Sequence, residues 1–382
     1  MEQSDVIAAA EGILTRRFGG AQELVDATRL PGSGLAGVYR AKVATNPFLQ
    51  HRSVVVKYSP LVGDPLEDAA YLREVVAYQF TTSLSEEVRP GPVLLGYDVD
   101  KRIIIITDSG DGDTLDSLLA ESTAEERVNV LRSFGSALGR MHAGTADKED
   151  AFNVLFSRLT RAHSGAEGVQ NLRDRLLFHR IRLGLEMMEQ AGIEVPDEVK
   201  TVAEHGSYRL LKGGNRAFTP FDLASVIAGF PNYISTDPIT DEEAHVFTEA
   251  WVREVSGLWP EVERPETLHA RITAALIAWA LSSVSVLNVN AHSEVWEQDE
   301  TITADFQAAG VDVGAGVHLE EFEVSGDLLR PSHQGPFTAD EKLVRRDLYE
   351  TFEALARYSG AGDDPAYKEI SEFAHAVARR LS

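Results

Sequence analysis

A change of hydrophobic period across residues 108–113 limits what this chain can fold into more than any other feature. Before it, Gly37–Val43 alternates polar and apolar, and Ser53–Tyr58 is a β-branched run, so the two fit antiparallel strands joined by a polar connection containing Asn46-Pro47. Segments 93–99 and 103–107 read as two further strands. Within this part only 67–80 shows helical spacing, with Ala70, Glu74, Ala77 and Tyr78 three or four residues apart. Asp108-Ser109-Gly110-Asp111-Gly112-Asp113 has no apolar side chain to bury and reads as a linker. Beyond it, 114–120, 124–142, 170–191, 241–257, 268–287, 339–358 and 365–381 carry helical apolar faces. Strands followed by helices predict an α+β fold with two lobes: 1–107, the linker 108–113, and a helical part 114–382 with a loop-rich insertion at about 290–338.

Composition narrows the function. The 382 residues carry 60 acidic against 36 basic side chains, a net charge of −24 without a long basic cluster, which argues against nucleic acid or an anionic membrane as partner. The chain has no cysteine, so disulfides, thiolate metal sites and cysteine nucleophiles are excluded. Its first residues lack a basic segment leading into an apolar core, so a cytoplasmic location is expected. The apolar run 272–289 is broken by Thr273, Ser282, Ser283, Ser285 and Asn288 and reads as a buried helix rather than a membrane span. His292, His318 and His333 are too scattered for a zinc site, and no Gly-x-Ser-x-Gly elbow occurs.

The chemistry-bearing residues lie in the strand-rich part. Gly32, Gly34 and Gly37 form a glycine-rich turn, Lys57 stands 20 residues beyond Gly37 at the end of a valine run, and Glu74 follows 17 residues later on the helical segment. A dinucleotide fingerprint would require a helix after the glycines and an acidic residue where Lys57 stands. Glycines before a strand, a strand lysine and a helix glutamate are instead parts that hold ATP phosphates, because backbone N–H groups without a Cβ approach the phosphates and the lysine neutralises them. The alternative is a plain hairpin turn, with Lys57 and Glu74 in water on separate faces.

Further on, Leu138-Gly139-Arg140-Met141-His142-Ala143-Gly144-Thr145 closes the first large helix after the linker. With the glycines, Lys57 and Glu74, this segment resembles the aminoglycoside phosphotransferase and choline kinase-like family over residues 25–145. Phe221 to Pro231, Trp251 to Trp259 and Ile272 to Leu281 are similar to uncharacterised actinobacterial relatives. The resemblance implies a bilobal protein-kinase-like fold: a five-stranded antiparallel sheet with one helix, and a mostly helical second lobe. It implies ATP and Mg²⁺ as cofactors, with Gly32, Gly34, Gly37, Lys57 and Glu74 at the phosphates and the backbone near Thr107 at adenine. A hydroxyl of a small molecule would be the acceptor, and His142 a packing and hydrogen-bonding residue.

That family's transfer loop carries His-Gly-Asp, an Asn five residues later, and a metal-binding Asp about a dozen beyond, and here no segment supplies all three. In one register His205-Gly206-Ser207 replaces the base by a hydroxyl, with Asp222 15 residues on. In the other, 218–222 begins the loop and 223–231 already resembles the helix that follows the metal Asp, which leaves Asp222 as the loop carboxylate and Ile227 where the Asn belongs. Asp237 and Asp241 are weaker metal candidates, since Thr240-x-x-Glu243 has the form of a capping box, so the metal ligands stay unassigned. An impaired small-molecule kinase is expected, or else a pseudokinase that binds nucleotide or a protein partner.

Overall fold

The computed structural model describes residues 1–31, 35–44, 47–161, 166–206, 219–229, 237–287, 300–312 and 327–382. Two compact units divide it: Met1–Gly112 with Lys148–Gln170, and Asp113–Asp147 with Asn171–Ser382. The fold is α+β.

In the first unit, β1 (Leu24–Arg29), β2 (Gly37–Val43), β3 (Ser53–Tyr58), β4 (Leu94–Asp98) and β5 (Ile103–Thr107) form an antiparallel five-stranded sheet in the order β1-β2-β3-β5-β4. Alternation assigns the faces. Val54, Val56, Ile103 and Ile105 point to one side, where α1 (Gln3–Phe18) packs Val6, Ala10, Ile13 and Leu14 against them. Ile104 and Leu94 join the opposite core, formed with Tyr71, Leu72 and Val75 of α2 (Pro65–Thr82). Ile103, Ile104 and Ile105 are each wholly buried, worth roughly 2 kcal/mol per side chain by removal from water. α1 comes so close to β4 that a Cβ at Gly96 would lie 2.7 Å from Ile13 Cγ2.

The expectation of a sheet with one helix is corrected here. Besides α2, the first unit contains α1, and α5 (Glu149–Thr160) also packs on it, with Phe152 edge-on to Phe80 at 5.7 Å and Leu159 against the α2 core. The buried face of α1, Val6, Ile7, Ala9, Ala10, Ile13 and Leu14, recurs at helical spacing, so the sequence does carry the signal for this helix.

The second unit is helical: α3 (Leu115–Glu121), α4 (Ala124–Thr145), most of α6 (Ala166–Gln190), α7 (Asp197–Thr201) running into a π-turn at Val202–Gly206, α8 (Thr219–Ile227), α9 (Asp241–Val255), α10 (Pro265–Leu287), α11 (Glu300–Ala309), α12 (Ala339–Gly360) and α13 (Pro365–Leu381). Three helices start at the same device. Thr123, Thr240 and Thr338 each accept the N–H of a glutamate three residues on, whose carboxylate returns to the threonine N–H. The expected capping box at Thr240 is one of these.

α4 and α9 run parallel, Arg127 meeting Glu243 at one end and Gly139 meeting Glu254 near the other. Glycine permits the contact, since a Cβ at Gly135 would stand 2.3 Å from the Phe247 carbonyl oxygen. The buried Arg127 guanidinium donates to both Glu243 oxygens at 2.6 and 3.1 Å and also to the Leu119, Asp237 and Pro238 carbonyls. Burial pushes the Glu243 carboxyl up, but its bonds from Arg127 and the Thr240 N–H outweigh this and hold it below the usual range.

Among the described residues one stretch, Pro265–Val286 of α10, is long and apolar enough to cross a membrane by length and composition. It is mostly buried, with Ile272, Ala275, Leu276, Leu281 and Val284 all at 1% exposure or less, as suits the core helix of a soluble protein.

Candidate functional site

Period two in β3 sends Val54 and Val56 to the α1 core, so Lys57 must leave the sheet on the α2 side. There its ammonium donates to both oxygens of Glu74, at 2.6 and 2.8 Å. The pair is neither buried nor free in solvent, with 30% of the Lys57 and 27% of the Glu74 side chain exposed. Glu74 is placed by Tyr71, one turn earlier on α2, whose hydroxyl donates to the Asp98 and Ile103 carbonyls at 3.0 Å each. Arg102 lies over the Tyr71 ring at 4.7 Å and bonds the Ser59 carbonyl at 2.6 Å, clamping α2, β3 and β5 together. Burial pushes the Tyr71 phenol well above its usual range, so its hydroxyl stays a donor.

Gly37 opens β2 opposite Tyr58, and its neighbour Val38 pairs with Lys57, so the end of the glycine-rich segment adjoins the lysine. Gly32 and Gly34 lie outside the described residues. Thr107 pairs with Val54 at the far end of β3, and its hydroxyl accepts the Val93 N–H at 2.9 Å, a structural bond within the sheet.

The chain after Thr107 is tied to the same sheet. Asp108 accepts from Ser53 Oγ at 2.7 Å and from the Gly110 N–H at 3.0 Å, and forms an ion pair with Arg40 of β2 at 2.9 Å. Arg40 also pairs with Asp111. Burial raises the Asp108 carboxyl, but these partners together hold it below the ordinary carboxylate range. The residues expected to act as a linker are therefore anchored at their start.

In the helical unit, Asp222 sits in the first turn of α8, which corrects its placement in a loop. Pro220 suits that turn, where no intrahelical N–H bond is lost. About half of the Asp222 side chain is exposed, and one oxygen lies 3.1 Å from His142 Nε2 at the end of α4. The other ring nitrogen of His142 faces Trp251, whose indole N–H donates to Nδ1 at 2.9 Å. Since Nδ1 is the acceptor, the neutral ring carries its proton on Nε2 and donates it to Asp222. A tryptophan thus sets a tautomer that orients a carboxylate. His142 fills the hydrogen-bonding role expected of it, whereas Trp251 reads in sequence only as core, being 109 residues away along the chain.

Ile227, at the Asn position, is 3% exposed and has no side-chain oxygen to offer. Asp241 pairs with Arg357 at 3.3 Å in the first turn of α9, and the Asp237 carbonyl accepts from Arg127. Among the described residues no group of three His, Asp or Glu side chains is placed to hold a metal ion. Ser207 lies outside the described residues.

No protein-family model matches this sequence, and no curated protein matches it.

Proposed function

We propose that this protein is a kinase-like member of the aminoglycoside phosphotransferase type that binds nucleotide phosphates at Lys57, with transfer to a small-molecule hydroxyl impaired. The observation that carries this reading is the two-pronged Lys57–Glu74 pair. A lysine on a valine strand is held by a helix glutamate, yet a third of its side chain is still in reach of solvent and of an anion. The adjoining Gly37 end of the glycine-rich segment supports it. In this scheme Lys57 donates to phosphate oxygens, Glu74 fixes its direction, and Asp222, oriented by His142, receives the acceptor hydroxyl.

A pseudokinase is the second reading, favoured by the buried Ile227 in place of an amide. Thermal unfolding with ATP, with and without Mg²⁺, separates the two, because a hundredfold excess over Kd stabilises the folded state by about 2.7 kcal/mol. Stabilisation that needs no Mg²⁺ and is lost in Lys57→Met, without phosphate transfer to amino alcohols or aminoglycosides, selects the pseudokinase. Mg²⁺-dependent transfer abolished by both Lys57→Met and Asp222→Asn selects the enzyme. No ATP response in the wild-type chain refutes nucleotide binding at Lys57 and leaves only a pseudokinase that acts through a protein partner.

A further inference from the structure

The helical unit contains a cavity of about 1050 Å³ that Lys57, Glu74, His142 and Asp222 do not line, although Ile227 and Asp241, weighed above for the transfer loop, do. It lies between α9, the start of α10 and the α12–α13 turn. α9 presents Asp241, Ala244, His245, Thr248 and Val252 to it, residues three and four apart. Ala250, which faces α4, lies opposite this stripe and Phe247 and Trp251 lie to its side, and neither His142 nor Asp222 lines the cavity.

Two polar atoms in the cavity wall are buried without a hydrogen-bond partner among the described residues: Thr248 Oγ1 and His269 Nε2. Thr248 is 8% exposed. Other helical threonines, Thr81, Thr145 and Thr160, donate to the carbonyl four residues back at 2.8–3.0 Å, and Thr248 does not. His269 stacks on Tyr358 at 4.9 Å and meets the edge of Tyr367 at 4.7 Å. Its ring bonds the backbone of Ser359, and burial holds the imidazole below its usual range, so it is neutral with Nε2 as the free acceptor. Gly362 keeps the space beside that atom open, since a Cβ there would lie 2.5 Å from Nε2 and 2.3 Å from Tyr367 Cδ2.

The lining charge is one-sided. Asp241, Glu249, Glu263, Glu266, Asp363 and Asp364 stand against Arg253 and Arg357, and each arginine is already engaged with one of those carboxylates. An acceptor nitrogen and a hydroxyl at depth, tyrosine rings beside them and carboxylates at the rim together favour a cation that carries N–H donors. A quaternary ammonium would satisfy the rings and the rim but would leave Nε2 without a donor.

We propose that this cavity is a binding site for a protonated primary aliphatic amine, its ammonium donating to His269 Nε2 and Thr248 Oγ1. The site is independent of the phosphate-binding reading.

The test is calorimetric titration of the full chain with 1,4-diaminobutane, against 1,4-butanediol as its uncharged analogue and tetramethylammonium as a cation without N–H. Saturable binding of the diamine is expected, with the other two at least tenfold weaker. His269→Phe, which keeps the ring stack, and Thr248→Val, which keeps the shape, should each weaken the diamine about tenfold, while Lys57→Met leaves it unchanged. If His269→Phe does not fold, Thr248→Val decides alone. Absence of diamine binding, equal binding of the diol or of tetramethylammonium, or unchanged affinity in a folded Thr248→Val protein would each overturn the proposal.

Discussion

Replacing Trp251 by phenylalanine isolates what one indole N–H does for the candidate carboxylate. The ring is 1% exposed and its N–H is the donor to His142 Nδ1, itself in a side chain only 7% exposed. Phenylalanine preserves most of the apolar contact with Trp259 and α4 but leaves Nδ1 a buried acceptor without a donor, which costs about 1–3 kcal/mol. The smaller ring adds a packing loss, so a double-mutant cycle with His142→Leu is needed to extract the bond itself, and a coupling of about 1–2 kcal/mol is expected. The tautomer responds separately. With the indole present, the Nε2–H form holds a bias equal to that bond, and each 1.4 kcal/mol removed raises the other tautomer tenfold. Nitrogen NMR of the imidazole reads both forms directly. The wild-type ring should show an unprotonated Nδ1, and Trp251→Phe should show exchange between the two forms. A protonated Nδ1 in the wild-type chain, or zero coupling in the cycle, would refute the assignment of Asp222 as a carboxylate oriented by His142.

Two glycines should respond in opposite directions to alanine. Gly135→Ala gains up to about 1 kcal/mol of helix propensity but drives a Cβ into the Phe247 carbonyl, so chemical denaturation should show a net loss of about 1–3 kcal/mol. Gly12→Ala on α1 meets only the end of Arg16 at 3.7 Å and should stabilise by about 0.5–1 kcal/mol. Asp347 on α12 is pushed up to about 6 by burial and by the charge of Glu350. Its folded-state value lies above the unfolded one, so stability falls as pH rises from about 4 through 6, by at most roughly 3 kcal/mol, and the penalty persists above. Asp347→Asn should therefore be the more stable protein at pH 7.5 and show no advantage below pH 4. A difference independent of pH in denaturation curves would contradict that environment.

The sheet-side candidates were legible because their geometry is local. A β-branched run fixes which way Lys57 points, and helical spacing puts Glu74 on the face of α2 that turns towards it. The pairing of β2 with β3 followed from the same alternation. The helical unit was legible only as a set of periodic segments. What links Trp251, His142 and Asp222 is contact across 80 and 109 residues of sequence, for which a periodic pattern carries no signal. The helical state of Asp222 was obscured by reading Phe-Thr-Pro-Phe-Asp as loop, although proline in a first turn is compatible with a helix start. α5 does carry a helical signal, since Phe152, Leu155, Phe156 and Leu159 recur at i, i+3, i+4 and i+7; what the sequence does not show is that this face packs on α2. The proposed amine cavity is lined from α8, α9, α10, α12, α13 and the turn between the last two, and nothing in any one of them announces it.

Because residues 148–170 return to the sheet unit, the backbone passes between the two units three times, after Gly112, after Asp147 and after Gln170. No single truncation can therefore excise the sheet unit whole. A fragment ending at Gly112 would strip Phe152 and Leu159 from α2 and take away the Gln170 side chain that donates to the Ala69 carbonyl at 2.6 Å. Limited proteolysis should accordingly yield a nicked but co-eluting assembly, and an isolated sheet unit is better sought by grafting 148–170 onto 1–112 than by shortening the gene.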